Sequence, residues 1–139
     1  MTSFKRSFRV ATAASLAIWS AAACGDDDSK GPIDPGPTAG TLTITLTTPN
    51  ADDGAILFEV TGPDMTQVTA SNPSLYFRYS QAVGRITAVL VGDVAAGDVL
   101  SFHVPDVDAF ASYVPTVLDV AGRGNELRSS LAGYELTVD

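Results

Sequence analysis

Side chains able to do covalent, acid–base or metal chemistry are few in this chain of 139 residues, and they lie far apart. Cys24 is the single thiol, so no intrachain disulfide can form. His103 is the single imidazole; it alternates with Leu100, Phe102 and Val104, which share a face, and so points away from them as a surface histidine. No serine stands in a nucleophile elbow, and no lysine follows Lys30. Hydrolytic catalysis needs a nucleophile with a base, or a carboxylate pair in a cleft. The sequence offers neither, so a non-catalytic protein without a cofactor is expected. The acidic candidates are Asp106 and Asp108, two residues apart, with Asp52, Asp53, Asp93 and Asp98 on other turns. Calcium favours such oxygen clusters, although no EF-hand loop is present and a solvated acidic loop is the simpler reading. For recognition, Tyr76 and Arg78 form an exposed pair of the residue types enriched in binding hot spots; cross-strand packing is the plainer alternative.

The setting of Cys24 gives it a role. Lys5, Arg6 and Arg9 form a basic start, Val10 to Ala23 is an apolar run of 14 residues, and Ala21-Ala22-Ala23 precede the cysteine. That run falls short of the roughly 20 residues needed to span a bilayer as a helix. A basic start, a short apolar segment and small residues before a cut site mark a secretory signal peptide, here residues 1–23. With a cysteine directly after the cut, Ala22-Ala23-Cys24 resembles the lipobox of bacterial lipoproteins, with Ala21 where Leu is usual. The resemblance implies that Cys24 carries diacylglycerol and anchors the chain to a membrane of the bacterial cell envelope. Gly25, where an acidic residue would favour inner-membrane retention, tips that placement toward the outer membrane or surface. A free exposed thiol in an oxidising compartment is the awkward alternative.

Removing residues 1–23 takes away three basic residues and no acid, leaving five Lys and Arg against 16 Asp and Glu, a net charge of −11. Such a surface repels phosphate backbones and argues against nucleic acid as a partner. Residues 24–40 carry Asp26-Asp27-Asp28 and then Lys30-Gly31-Pro32 and Pro35-Gly36-Pro37. Proline and glycine there oppose helix and strand alike, and too little apolar surface is present to offset the entropy of ordering. The expectation is a flexible acidic tether.

From Thr41 the pattern changes to period two. Leu42, Ile44 and Leu46 alternate with threonines, and Ile56, Phe58 and Val60 alternate within Ala55 to Thr61. Met65 to Ala70, Leu75 to Tyr79, Arg85 to Val91, Val99 to Val104, Tyr113 to Val120 and Tyr134 to Val138 are further strand candidates, and a short strand can form around Leu127. Thr87 to Val91 is apolar on both faces, as a central strand would be. Turn residues recur at intervals near ten residues, and no helical stripe runs for three turns. Residues 41–139 are therefore expected to form a single all-β sandwich of seven to nine strands.

The order of features in this region resembles the cohesin family. The resemblance rests on Arg85 to Val91, the turn Ala95-Ala96-Gly97-Asp98, the strand Val99-Leu100-Ser101-Phe102-His103-Val104, the three later segments Tyr113 to Val120, Gly124 to Leu127 and Tyr134 to Val138, and Ile56 to Val60 with Gly62-Pro63-Asp64-Met65. It implies a jelly-roll-like sandwich related to cohesins and some carbohydrate-binding modules, though not a dockerin partner. The combined expectation is a lipid-anchored envelope lipoprotein whose sandwich binds a protein or glycan. The alternative is a structural envelope component that pairs with copies of itself.

Overall fold

The computed structural model describes residues 36–139. The expected lipobox with Cys24, and most of the expected tether, lie outside the described residues. Eight strands follow in order: β1 (Gly40–Thr47), β2 (Asp53–Thr61), β3 (Thr66–Ala70), β4 (Tyr76–Ala82), β5 (Arg85–Val94), β6 (Gly97–Val104), β7 (Val114–Gly122) and β8 (Glu135–Val138). One turn of 3₁₀ helix, Phe110–Ser112, stands before β7. The strands form two four-stranded sheets, in the orders β3-β6-β1-β8 and β4-β5-β2-β7, with every neighbouring pair antiparallel. The protein is thus an all-β sandwich, within the expected strand number. Each connection except the β4–β5 hairpin passes from one sheet to the other, so the chain stitches the two layers together repeatedly.

Alternation decides what lies between the sheets. Leu42, Ile44 and Leu46 of β1 and Leu100, Phe102 and Val104 of β6 face inward from one sheet. Ile56, Phe58 and Val60 of β2 and Ile86, Ala88 and Leu90 of β5 face them from the other, and all twelve are buried. Each large side chain so buried contributes about 1.5–3 kcal/mol relative to exposure. The central position of β5, paired to β4 and β2, agrees with its two apolar faces.

Two irregularities add core residues that simple alternation misses. Ile44 opposes Leu100 while Thr45 opposes Asp98, so Val99 is an extra residue in β6 and is buried beside Leu100. On β5 the register shifts near Gly92, whose φ of 140° is open to glycine alone, and Val94 beyond it turns into the core. Tyr113 closes one end of the core, its ring 5.4 Å from that of Phe102. The same ring packs directly over Gly62 at the end of β2, where a Cβ would strike it. We expect Gly62→Ala to lower stability by about 1–3 kcal/mol through overpacking. Urea denaturation checks this, with the midpoint falling and the slope unchanged.

Candidate functional site

The outer faces of the two sheets differ in kind. On the β3-β6-β1-β8 sheet, β1 presents Thr41, Thr43, Thr45 and Thr47, and β6 presents Ser101 and His103. Thr45 Oγ1 lies 3.0 Å from Asp98 Oδ1 and 3.2 Å from Asp139 Oδ2, so this face is a polar, hydrogen-bonded surface. On the β4-β5-β2-β7 sheet the register aligns Tyr76, Val91, Ala55 and Ala121 in one row and Arg78, Val89, Leu57 and Asp119 in the next. Half-buried Leu57 and Val89 form the floor of two adjoining hollows, of about 300 Å³ toward β4 and about 220 Å³ toward β7. Together they make a shallow apolar trough across the sheet.

Arg78 stands on the β4 wall of this trough, with Tyr76 beside it in the neighbouring row. The strand period places both on the outer face, as their spacing predicts, and they engage each other: Arg78 Nε donates to Tyr76 Oη at 2.8 Å, with the guanidinium carbon 5.6 Å from the ring centroid. That bond favours the charged guanidinium and raises its pKa. Their inward neighbours Phe77 and Tyr79 stack with centroids 5.4 Å apart. Tyr79 keeps 46% of its surface exposed because β4 is an edge strand with no outer neighbour to cover it among the described residues. Across the trough, Asp119 and Leu127 form the opposite wall. The site therefore pairs a cationic, aromatic side with an acidic one over an apolar floor.

The second wall depends on Leu127, around which the sequence suggests a short strand and the structure forms a single bridge. Leu127 pairs with Ala121 in an isolated bridge, and the loop carrying it folds back on β7 through Gly122 N to Glu126 O (3.0 Å) and Arg128 N to Val120 O (2.8 Å). Arg128 then reaches inward. Its Nε and Nη2 lie 3.1 and 2.9 Å from Asp53 Oδ1, and Nη2 lies 2.6 Å from Asp52 Oδ1. Asp53, the first residue of β2, is fully buried. Tyr134 Oη donates to its Oδ1 at 2.8 Å and Thr48 Oγ1 to its Oδ2 at 2.5 Å, while Asn50 Nδ2 donates to Tyr134 Oη at 2.7 Å. Burial pushes the Asp53 carboxyl up, but the bonds from Thr48, Tyr134 and Arg128 together outweigh it and hold the pKa below the ordinary value. The same contacts with Asp53 and Asp52 raise that of Arg128. In sequence Asp53 reads as one more turn residue and Arg128 as one of two loop arginines, which do not announce a pair 75 residues apart.

The other candidates do not join this site. His103 sits on the opposite sheet, with Thr41 and Thr66 as its cross-strand neighbours. Asp106 Oδ1 accepts from the backbone N–H groups of Thr38 (3.2 Å) and Asp108 (3.1 Å), which ties the residues just before β1 to the β6–β7 loop. Asp93 pairs with Arg123 at 2.9 Å. Among the described residues no group of three or more His, Cys, Asp or Glu side chains gathers as a metal cage. Compared with known proteins, the chain matches no described family, no curated protein and no solved structure.

Asp53→Asn removes the buried acceptor of Arg128, Tyr134 and Thr48 while Arg128 keeps Asp52, so it should cost about 1–3 kcal/mol at neutral pH. Because the folded-state pKa is depressed, the wild-type contribution is complete above the unfolded value near 3.8 and is lost as pH falls through the lower folded value. Denaturant titrations from pH 7 to pH 2 should show Asp53→Asn losing less stability on acidification than the wild type.

Proposed function

We propose that this chain is a lipid-anchored lipoprotein of the bacterial cell envelope. In this reading residues 1–23 are the export signal, Cys24 bears the lipid and the segment to residue 40 is a tether. The sandwich is a non-catalytic, cohesin-like module that docks a protein or glycan partner. The acyl chains act by burial, each CH₂ contributing about 0.8 kcal/mol, so that several chains hold the protein at a membrane. The tether gives the domain a reach of roughly 20–24 Å from that membrane if it behaves as a flexible coil. The observation that carries the docking role is the contrast between the two outer faces. One sheet shows water threonines and serine, while the other shows Leu57, Val89, Val91, Tyr76 and Leu127, with Val91, Tyr76 and Leu127 42%, 57% and 68% exposed. An apolar floor rimmed by polar and charged groups is the usual form of an interaction surface.

Two experiments test the halves of this proposal separately. Cys24→Ala should abolish incorporation of labelled palmitate in a bacterial host, and a variant that still labels overturns the anchor. For docking, the purified protein is presented to envelope proteins and to a glycan array, alongside Leu57→Glu and the Tyr76→Ala/Arg78→Ala pair. A partner of this face is lost by both variants while their circular dichroism stays unchanged. Retained binding by both removes the trough from the reading.

A further inference from the structure

We propose that β4 is a homotypic docking edge, pairing antiparallel with β4 of a second copy of this chain about a two-fold axis at Tyr79. This does not rest on the trough, because it uses the backbone rim of the sheet rather than its face. An unprotected edge strand presents a row of free N–H and C=O groups to any extended chain, and folded proteins usually blunt such edges. Three of the four edges here are blunted. β3 is five residues long, carries Gln67 at a left-handed φ of 50° and breaks register between Thr66 and Thr69. β8 has four residues. β7 contains Pro115, shifts register opposite Leu57 and Phe58, and has the loop from Gly122 to Arg128 folded back upon it.

β4 has none of these devices. Its seven residues pair with β5 without a register shift, include no proline, glycine or acid, and six of the seven are exposed. Among the described residues no strand pairs with its outer side, and only the Gln81 side chain hydrogen-bonds outside the strand, donating from Nε2 to the Met65 carbonyl. Ala82 and Arg85 close a two-residue hairpin turn, Val83-Gly84, so they form a hydrogen-bonded pair. Alternation then points the N–H and C=O of Tyr76, Arg78, Ser80 and Ala82 toward β5, and those of Phe77, Tyr79 and Gln81 away from the sheet.

Register admits a second copy as the occupant, and β4 is the edge where charge opposes it least. The described residues carry four arginines against 12 acids, so two copies repel each other across most of their surfaces. At β4 the single charge is Arg78 and no acid is present. A two-fold axis at Tyr79 uses the whole strand, placing Phe77 against Gln81, Arg78 against Ser80, Tyr76 against Ala82, and the two Tyr79 residues against each other. Moving the axis to Arg78 would set guanidinium against guanidinium. Opposed aromatic side chains favour the Tyr79 register, whereas like charges oppose the alternative. The product is one continuous eight-stranded sheet.

The test uses the full-length protein in detergent, with Cys24→Ala to remove the native thiol. In sedimentation equilibrium the parent should dimerise with concentration. Tyr79→Pro deletes the N–H that points off the edge together with the ring stacked on Phe77, and it should remain monomeric, whereas Tyr79→Ala, which loses the ring but keeps the N–H, should still dimerise; both should keep the parent's circular dichroism spectrum. Leu57→Glu, on the face, should dimerise as the parent does, which keeps failure of the trough reading distinct from failure of this one. Register is read by mild oxidation. In a hydrogen-bonded antiparallel pair, opposed Cα atoms lie about 5.5 Å apart, within disulfide range, so Tyr79→Cys should give a covalent dimer. Tyr76→Cys should not, because its opposite number is Ala82. A monomeric parent, a dimer that survives Tyr79→Pro, or cross-linking of Tyr76→Cys as fast as Tyr79→Cys overturns the proposal. Binding of an unrelated extended peptide by a monomeric parent would assign the edge to a heterologous strand instead.

Discussion

No cysteine follows Cys24, so the cohesion of this sandwich rests on the apolar layer between its sheets. That layer is continuous. Every one of its twelve central side chains comes from β1, β2, β5 or β6, the two inner strands of each sheet, and edge strands add only its margins. The six crossings between sheets make each inner strand depend on the opposite layer for its burial. Most pairings are therefore distant in sequence, and the fold has little local structure to fall back on if the layer opens. The Asp53 cluster fits into this scheme as the polar counterpart of the core. It ties the β1–β2 turn to the loop that precedes β8, at a margin where apolar contact runs out.

Much of this was legible in the residues. Alternation at Leu42, Ile44 and Leu46 and at Ile56, Phe58 and Val60 identified both the strands and the inward faces, because a strand with one wet face must repeat every two residues. The apolar outward positions Val89 and Val91 correctly marked β5 as central. Period alone could not find Val99 or Val94, since each is buried through a bulge that breaks the period locally. The burial of Asp53 was equally hidden, because an acid after Asn50-Ala51-Asp52 reads as one more turn residue until Arg128 is brought beside it. Tyr76 and Arg78 were visible as a pair two residues apart. The rest of their trough was not, since Leu57, Val89, Asp119 and Leu127 come from three other parts of the chain and meet only through pairing register.

The two surfaces singled out here are joined at β4. Its outer side chains form one wall of the trough, and its free backbone groups form the edge of the same sheet. If the edge is occupied by a second copy, the two troughs become parts of one broad surface on a continuous sheet. The proposed docking role and the proposed pairing are then compatible, as a ligand would meet two related sites rather than one. The acidic remainder of the domain would keep such a pair from recruiting further copies through its other edges, which are already blunted.

Thr38 is fastened to the β6–β7 loop by Asp106 and Val107, and the chain then runs straight into β1. β1 is an inner strand, laddered to β6 on one side and β8 on the other, with reciprocal bonds between Thr43 and Asp139. A pull applied through residue 36 would therefore load both ladders in shear, so that many hydrogen bonds must yield together instead of peeling one by one. Forced unfolding is governed by the unfolding barrier rather than by equilibrium stability. A domain drawn toward a surface by this end would thus resist mechanical extraction better than one entered through an edge strand such as β4.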